Sequence, residues 1–187
     1  MRTLQVVAVL SVLAAAEAAQ AQSAPAEAID ITAEQVQAVL KTVPSPAGDQ
    51  QIRVVDMGKY NLAVGILRRG RTTDAPDGSV TGLVHSQITE TYYILSGGGT
   101  LVTGGTLASP RSFPSDGDIV RILAGPTTSG PIQNGHKRVV KPGDIVIIPA
   151  GVPHGWTGVT DHVDYLSVRP DPDKVLPKGY VNPAIRK

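Results

Sequence analysis

The stretch KPGDIVIIPAGVPHGW, residues 141–156, governs how the rest of the chain is read. Pro142-Gly143-Asp144 is a turn signal, and the IVII run behind it reads as a buried strand. Pro149 has no N–H to give a ladder and ends that strand, and Gly151 permits a tight bend before His154. These residue types predict a strand, a rigid corner, and one imidazole just past the corner.

Outward from this stretch the texture repeats. IRVVDM (52–57), YNLAVGILRR (60–69), TGLVHS (81–86), ETYYILSG (90–97), GTLVTG (99–104), DIVRIL (118–123), KRVV (137–140), DIVIIPA (144–150) and HVDYLSVRP (162–170) read as short strands. Gly, Pro, Asn and Asp punctuate them. Within 60–69, Leu62, Val64 and Ile66 alternate with Ala63, Gly65 and Leu67, as in a strand packed on both faces. The spacing leaves no room for βαβ helices and predicts an all-β sandwich or barrel. Residues 70–79, 104–117 and 124–136 read as loops, the last two as long surface loops. One short N-terminal helix is expected. Thr32 and Gln35 form a capping box, Val36, Val39 and Leu40 share a face, and Pro44 and Pro46 end it.

Composition narrows the function classes. The chain has 187 residues, 41% of them hydrophobic, which suffices for the core of one domain. Aromatic residues make up only 4%, so Val, Ile, Leu and Ala must build that core. The net charge of +1, without a run of either sign, gives nucleic acid no electrostatic handle. RRGR (68–71) is too short for such a patch and reads as a solvated strand end. There is no Cys and no Gly-x-Ser-x-Gly, which removes the common nucleophile signatures. GGGT (97–100) has no helix after it, so it reads as a hairpin turn needing positive φ and not as a phosphate loop.

Met1-Arg2, the apolar run LQVVAVLSVLAAA (4–16) and Ala19-Gln20-Ala21 together read as a secretory signal cleaved after Ala21. That run is shorter than the roughly 20 residues needed to span a bilayer, so the mature chain is expected to be secreted or periplasmic with no membrane span. The expected division is residues 1–21 as signal peptide, 22–49 as an extension carrying the helix, 50–170 as the barrel, and 171–187 as a tail lying on the surface or on a partner subunit.

Two separated motifs resemble those of the cupin superfamily. Gly143, Pro149, Gly151 and His154 match all four positions of the second cupin motif. His85, Glu90 and Gly97 match the second His, the Glu and the Gly of the first, and Leu83 stands where that motif has its first His. The resemblance covers about residues 50–170 and implies a single-domain jelly-roll β-barrel, in agreement with the strand reading.

Carried over residue by residue, the resemblance implies that His85, Glu90 and His154 hold one divalent transition metal per subunit. Imidazole and carboxylate suit Cu, Fe or Mn, and a His/His/carboxylate set leaves positions open for a small molecule or O₂. A second register makes Gln87 a stand-in ligand, since alternation puts His85 and Gln87 on one side of a strand. A third reading has His85 and Glu90 as a buried hydrogen-bonded pair without metal.

Tyr92 should share the inward face with Glu90 and is the candidate proton donor, while Tyr93 points away. Trp156 stands in the same relation to His154, and the two aromatics read as bulky filler of the barrel, with the lining of a pocket as the alternative. His162 and Asp164 alternate together, as a solvated strand face or a hydrogen bond behind the site, and His136 reads as surface. The function expected is that of an exported metal-binding cupin, an oxidative or Lewis-acid enzyme acting on a small molecule or carbohydrate, with copper-dependent oxidation of polysaccharide as one form. The alternative is a non-catalytic ligand-binding or structural barrel. A homodimer is expected from the family habit.

Overall fold

The computed structural model describes residues 24–73, 75 and 77–186; the expected signal peptide lies outside them. Among the described residues no helix is long and apolar enough to cross a membrane. In chain order the strands are β1 (Ala47–Asp56), β2 (Asn61–Gly70), β3 (Val80–His85), β4 (Glu90–Gly97), β5 (Gly99–Thr103), β6 (Thr106–Leu107), β7 (Arg111–Ser112), β8 (Thr127–Gln133), β9 (His136–Val140), β10 (Ile145–Ile148), β11 (His154–Thr157) and β12 (His162–Asp171). One sheet runs β1-β2-β12-β4-β10, and the other β6-β8-β3-β11-β5-β9 with β7 also on β8. All pairings are antiparallel.

Alternation decides which side chains fill the space between the sheets. Leu67, Tyr92, Ile94, Val163 and Tyr165 from the first sheet meet Leu101 and Val140 from the second in one buried cluster. On the outer face of the first sheet, Val39 of α1 (Ala33–Leu40) packs with Ile52 and Ile66. The capping box is formed: Thr32 and Gln35 each accept the other's backbone N–H at 3.3 Å.

Four strand-level expectations need correction. DIVRIL is not a strand, because Ile119–Ala124 forms a π-helical turn whose Val120 and Arg121 amides donate back to the Gly117 carbonyl. A short apolar run does not distinguish a buried helical turn from a strand, and here the turn covers one wall of the barrel interior. Residues 124–136 are not a surface loop; they contain β8, which pairs with β3 over six residues. Its Pro131 has no N–H to give the outer neighbour, but its carbonyl still accepts from the Ala108 N–H at 2.8 Å. Likewise 104–117 contains β6 and β7. Finally, IVII is buried on one face only. Val146 and Ile148 point in, whereas Ile145 and Ile147, on the opposite face of this edge strand, are 65% and 67% exposed.

Gly97 ends β4 at φ 66°, as the hairpin reading requires, and a Cβ there would overlap the His162 carbonyl oxygen. The left-handed conformation alone costs a non-glycine residue roughly 1–2 kcal/mol. Gly97→Ala is therefore expected to lose more than that in chemical denaturation, because β12 must also move. A loss below roughly 1 kcal/mol would contradict the overlap.

Candidate metal centre

His85 is the last residue of β3 and Glu90 the first of β4. The rigid corner read from Pro149 and Gly151 carries His154 to them: the Gly151 N–H donates to the His85 carbonyl at 2.8 Å, and His154 pairs with Leu83 across β11 and β3. Residues 69 positions apart in sequence thus end beside one carboxylate. His154 Nε2 lies 3.2 Å and His85 Nε2 3.5 Å from Glu90 Oε2, with all three residues at most 5% exposed.

The hydrogen bonds behind the imidazoles fix their tautomers. The Thr127 hydroxyl donates to the Gly125 carbonyl at 2.8 Å, so toward His85 Nδ1, also at 2.8 Å, it acts as acceptor. His85 Nδ1 therefore carries the proton. His154 Nδ1 lies 3.1 Å from the Val152 carbonyl, which only accepts, so it too is the protonated nitrogen. Both Nε2 lone pairs consequently face the Glu90 carboxylate, and three acceptors converge without a donor of their own. Nitrogen and oxygen ligands about 2.0–2.2 Å from a shared ion would stand about this far apart, so the residues fit a transition metal. Among the described residues this is the group of His and acid side chains placed to hold one.

Glu90 is itself held from behind. Arg169 Nε and Ser167 Oγ both donate to Oε1 at 2.9 Å, and the Tyr92 hydroxyl donates to Oε2 at 2.9 Å. Arg169 is wholly buried and also pairs with Asp49, while its NH1 donates to the Leu123 carbonyl at 3.0 Å. Gly65 makes this arrangement fit, since a Cβ there would come within 2.9 Å of Arg169 NH1.

Titration follows from these contacts. Burial pushes His85 down to about 3 against the pull of Glu90, so the imidazole is neutral and its lone pair available. Burial alone would raise Glu90, but the Arg169 charge outweighs it and holds the carboxyl well below its ordinary range. Burial, followed by the Glu90 charge, drives the Tyr92 phenol well above its usual value and keeps it a neutral donor. Arg169 is raised: burial works against its charge, but Asp49 and Glu90 stabilise it more.

The other expected residues fall on either side of this centre. Tyr92 is inward and buried as alternation predicts, and its hydroxyl is engaged with Glu90. Tyr93 is 43% exposed. Trp156 lines the cavity and donates to the Tyr165 hydroxyl at 3.2 Å. Gln87 is not brought to the centre. β3 ends at His85, so strand alternation does not reach Gln87, and its amide donates to Asp173 at 3.3 Å near the surface. Asp164 is buried on the outer face in a two-point pair with Arg68 at 2.7 and 2.6 Å, with His162 beside Asp161 and Ser96. His136 is exposed.

RRGR is thus a solvated strand end only in part: Arg71 is exposed, but Arg68 pairs with Asp164 and Arg69 faces inward. Asp49, Arg69, Thr127, Ser167 and Arg169 join the site without having been singled out in the sequence. The cavity above the three ligands has a volume of about 430 Å³, in the range of small-molecule sites, and Leu83 forms part of its wall.

Two antiparallel sheets therefore enclose one cavity, and both sequence motifs deliver their polar residues to it from β3, β4 and β11. This is the two-sheet β-barrel that the cupin resemblance implies.

No family model matches the sequence, and no curated protein matches it. Among solved structures, this barrel is similar to the DMSP lyase DddQ from Ruegeria pomeroyi, at 16% identity and a TM-score of 0.41 over 66% of this chain and 46% of that one. It is similar to the polyketide cyclase RemF from Streptomyces resistomycificus at 20% identity and a TM-score of 0.39, over 67% of this chain and 66% of that one. A conserved protein with a double-stranded β-helix domain from Klebsiella pneumoniae matches at 17% identity and a TM-score of 0.46, over 78% of this chain and 91% of that one. The chain thus spans about half of the first of these proteins and just under two thirds of the second.

Proposed function

We propose that this cupin is an exported metalloenzyme that binds one divalent transition metal through His85, Glu90 and His154 and acts on a small molecule. The observation that carries the reading is the convergence of two Nε2 lone pairs and a carboxylate oxygen whose partners on the far side leave them no proton of their own. Bound there, Fe, Mn or Cu would supply Lewis acidity or electron-transfer chemistry.

The chain's own residues do the rest. Thr127 and the Val152 carbonyl orient the imidazoles, Arg169 and Ser167 orient Glu90, and Tyr92 holds its second oxygen. Leu83, occupying the place of a further His, leaves that side of the centre apolar and open to a ligand. The burial of all three ligands favours a small molecule over a polysaccharide chain as substrate. A homodimer belongs to the same proposal, supported by the exposed Val139, Ile145 and Ile147 at two sheet edges.

Equilibrium dialysis of metal-stripped protein against Mn, Fe, Co, Ni, Cu and Zn, followed by elemental analysis, tests the metal. One equivalent per chain is expected for at least one ion; no uptake of any would overturn the reading.

A further inference from the structure

The geometry points to Arg69 as the anchor for a carboxylate on the barrel's ligand, which makes that ligand a small organic acid. The inference builds on the proposed function in taking the cavity above His85, Glu90 and His154 as the ligand site.

Arg69 lies near the end of β2, between Ala47 of β1 and Val163 of β12. It follows Arg68, which turns outward to Asp164, and it continues the inward row of Gly65 and Leu67. Its side chain lines the cavity. Among the described residues its guanidinium makes no hydrogen bond or ion pair within the protein. The acids that face this region are already engaged. Asp49 is paired with Arg169, and Glu90 accepts from Arg169, Ser167 and Tyr92. A guanidinium held over a cavity without a direct hydrogen-bonding partner is expensive to keep there unless water or a ligand satisfies it.

Charge counting points the same way. Asp49 and Glu90 together offset Arg169 and Arg69, so a divalent ion at the three ligands would leave the cavity doubly positive. A neutral sugar would not correct this, whereas an acid would. The donor set favours carboxylate over phosphate. A planar guanidinium matches one carboxylate with two parallel bonds, and the nearby cation, Arg169, already donates from Nε, NH1 and NH2 to protein groups. Leu67, Leu83, Leu123 and Trp156 in the wall suit an apolar body on that acid.

Trp156 is the single tryptophan of the chain and lines this cavity, so its emission reports occupancy. The experiment titrates benzoate, phenylacetate and succinate, each beside its neutral amide, into metal-free and manganese-treated protein while Trp156 fluorescence is followed. At least one acid is expected to give a saturable change that its amide matches only at a tenfold or higher concentration. Arg69→Gln should weaken that acid by about 10- to 100-fold without affecting the amide, the range for a charge-assisted pair. Arg69→Lys, which keeps the charge but not the two-point geometry, should fall between. It also serves as the reading if the glutamine variant fails to melt like the wild type.

Equal binding of acid and amide, an acid affinity unchanged in both variants, or no binding by any of the six compounds would overturn the inference. The metal-free arm separates it from the proposed function. Arg69-dependent binding in a protein that takes up no metal would sink the metal reading alone. Stoichiometric metal with charge-blind binding would sink the anchor alone.

Discussion

Arg169→Met is expected to lower the unfolding free energy by about 3–5 kcal/mol in urea or guanidinium denaturation, the cost of breaking a buried ion pair from one side. Arg169 is wholly buried and faces two carboxylates, Glu90 at 2.9 Å and Asp49. Methionine fills similar space but leaves Glu90 ionised without its countercharge, or else protonated. The Leu123 carbonyl and the Gln51 amide oxygen also lose their donor. Protonation of Glu90 would in turn remove a metal ligand, so the variant should bind metal less tightly even where it folds. Arg169→Lys should recover part of the stability, since an ammonium restores the charge but not the fork that reaches three strands' worth of acceptors. A methionine variant within about 1 kcal/mol of the wild type would mean that the Glu90 and Asp49 pairs are not formed as described.

Metal addition is the second large effect. An ion that binds only the folded chain stabilises it by about 2.7 kcal/mol at a hundredfold excess over its dissociation constant. That increment should appear as a higher denaturation midpoint in the wild type and vanish in His85→Ala and in His154→Ala. Gln87→Ala should retain it in full, because the Gln87 amide is engaged with Asp173 away from the centre. Without metal, His154→Ala should lose the packing of one ring and the Nδ1 bond to the Val152 carbonyl but nothing at Nε2, which faces an acceptor and not a donor. If either histidine variant keeps the metal-induced increment, the ligand assignment fails.

The parts of this arrangement that were legible in the sequence are those encoded locally. A proline, a positive-φ glycine and the strand before them announce the corner at His154, and period-two alternation correctly turned Tyr92 inward and Tyr93 outward. Capping chemistry at Thr32 and Gln35 is equally local. What escaped depends on partners far along the chain. Thr127 lies in TTSGPIQ, whose glycine and proline suggest a loop until β3 is seen beside it. DIVRIL has strand-like residues, yet no neighbouring strand receives it.

Arg169 was within reach. It sits two and four positions beyond Ser167 and Tyr165 on the inward face of β12, and a cation in that row of a buried strand calls for a buried anion. Arg69 was missed for the opposite reason. Next to Arg68 and Arg71 it looked like one member of a surface charge run; the strand's pleat separates it from Arg68, and Arg71 lies beyond the end of the strand.

The π-helical turn Ile119–Ala124 has no strand partner, and a segment of that kind in most proteins would fluctuate by itself. Here its carbonyls at Ile122 and Leu123 are taken by Gln51 and Arg169, the latter being the residue that also clasps Glu90. Its amides should thus be protected from hydrogen exchange nearly as well as those of β12. Exchange there would then report subglobal opening of the barrel and not local fraying, and the wall of the cavity would behave as part of the same cooperative unit as its floor.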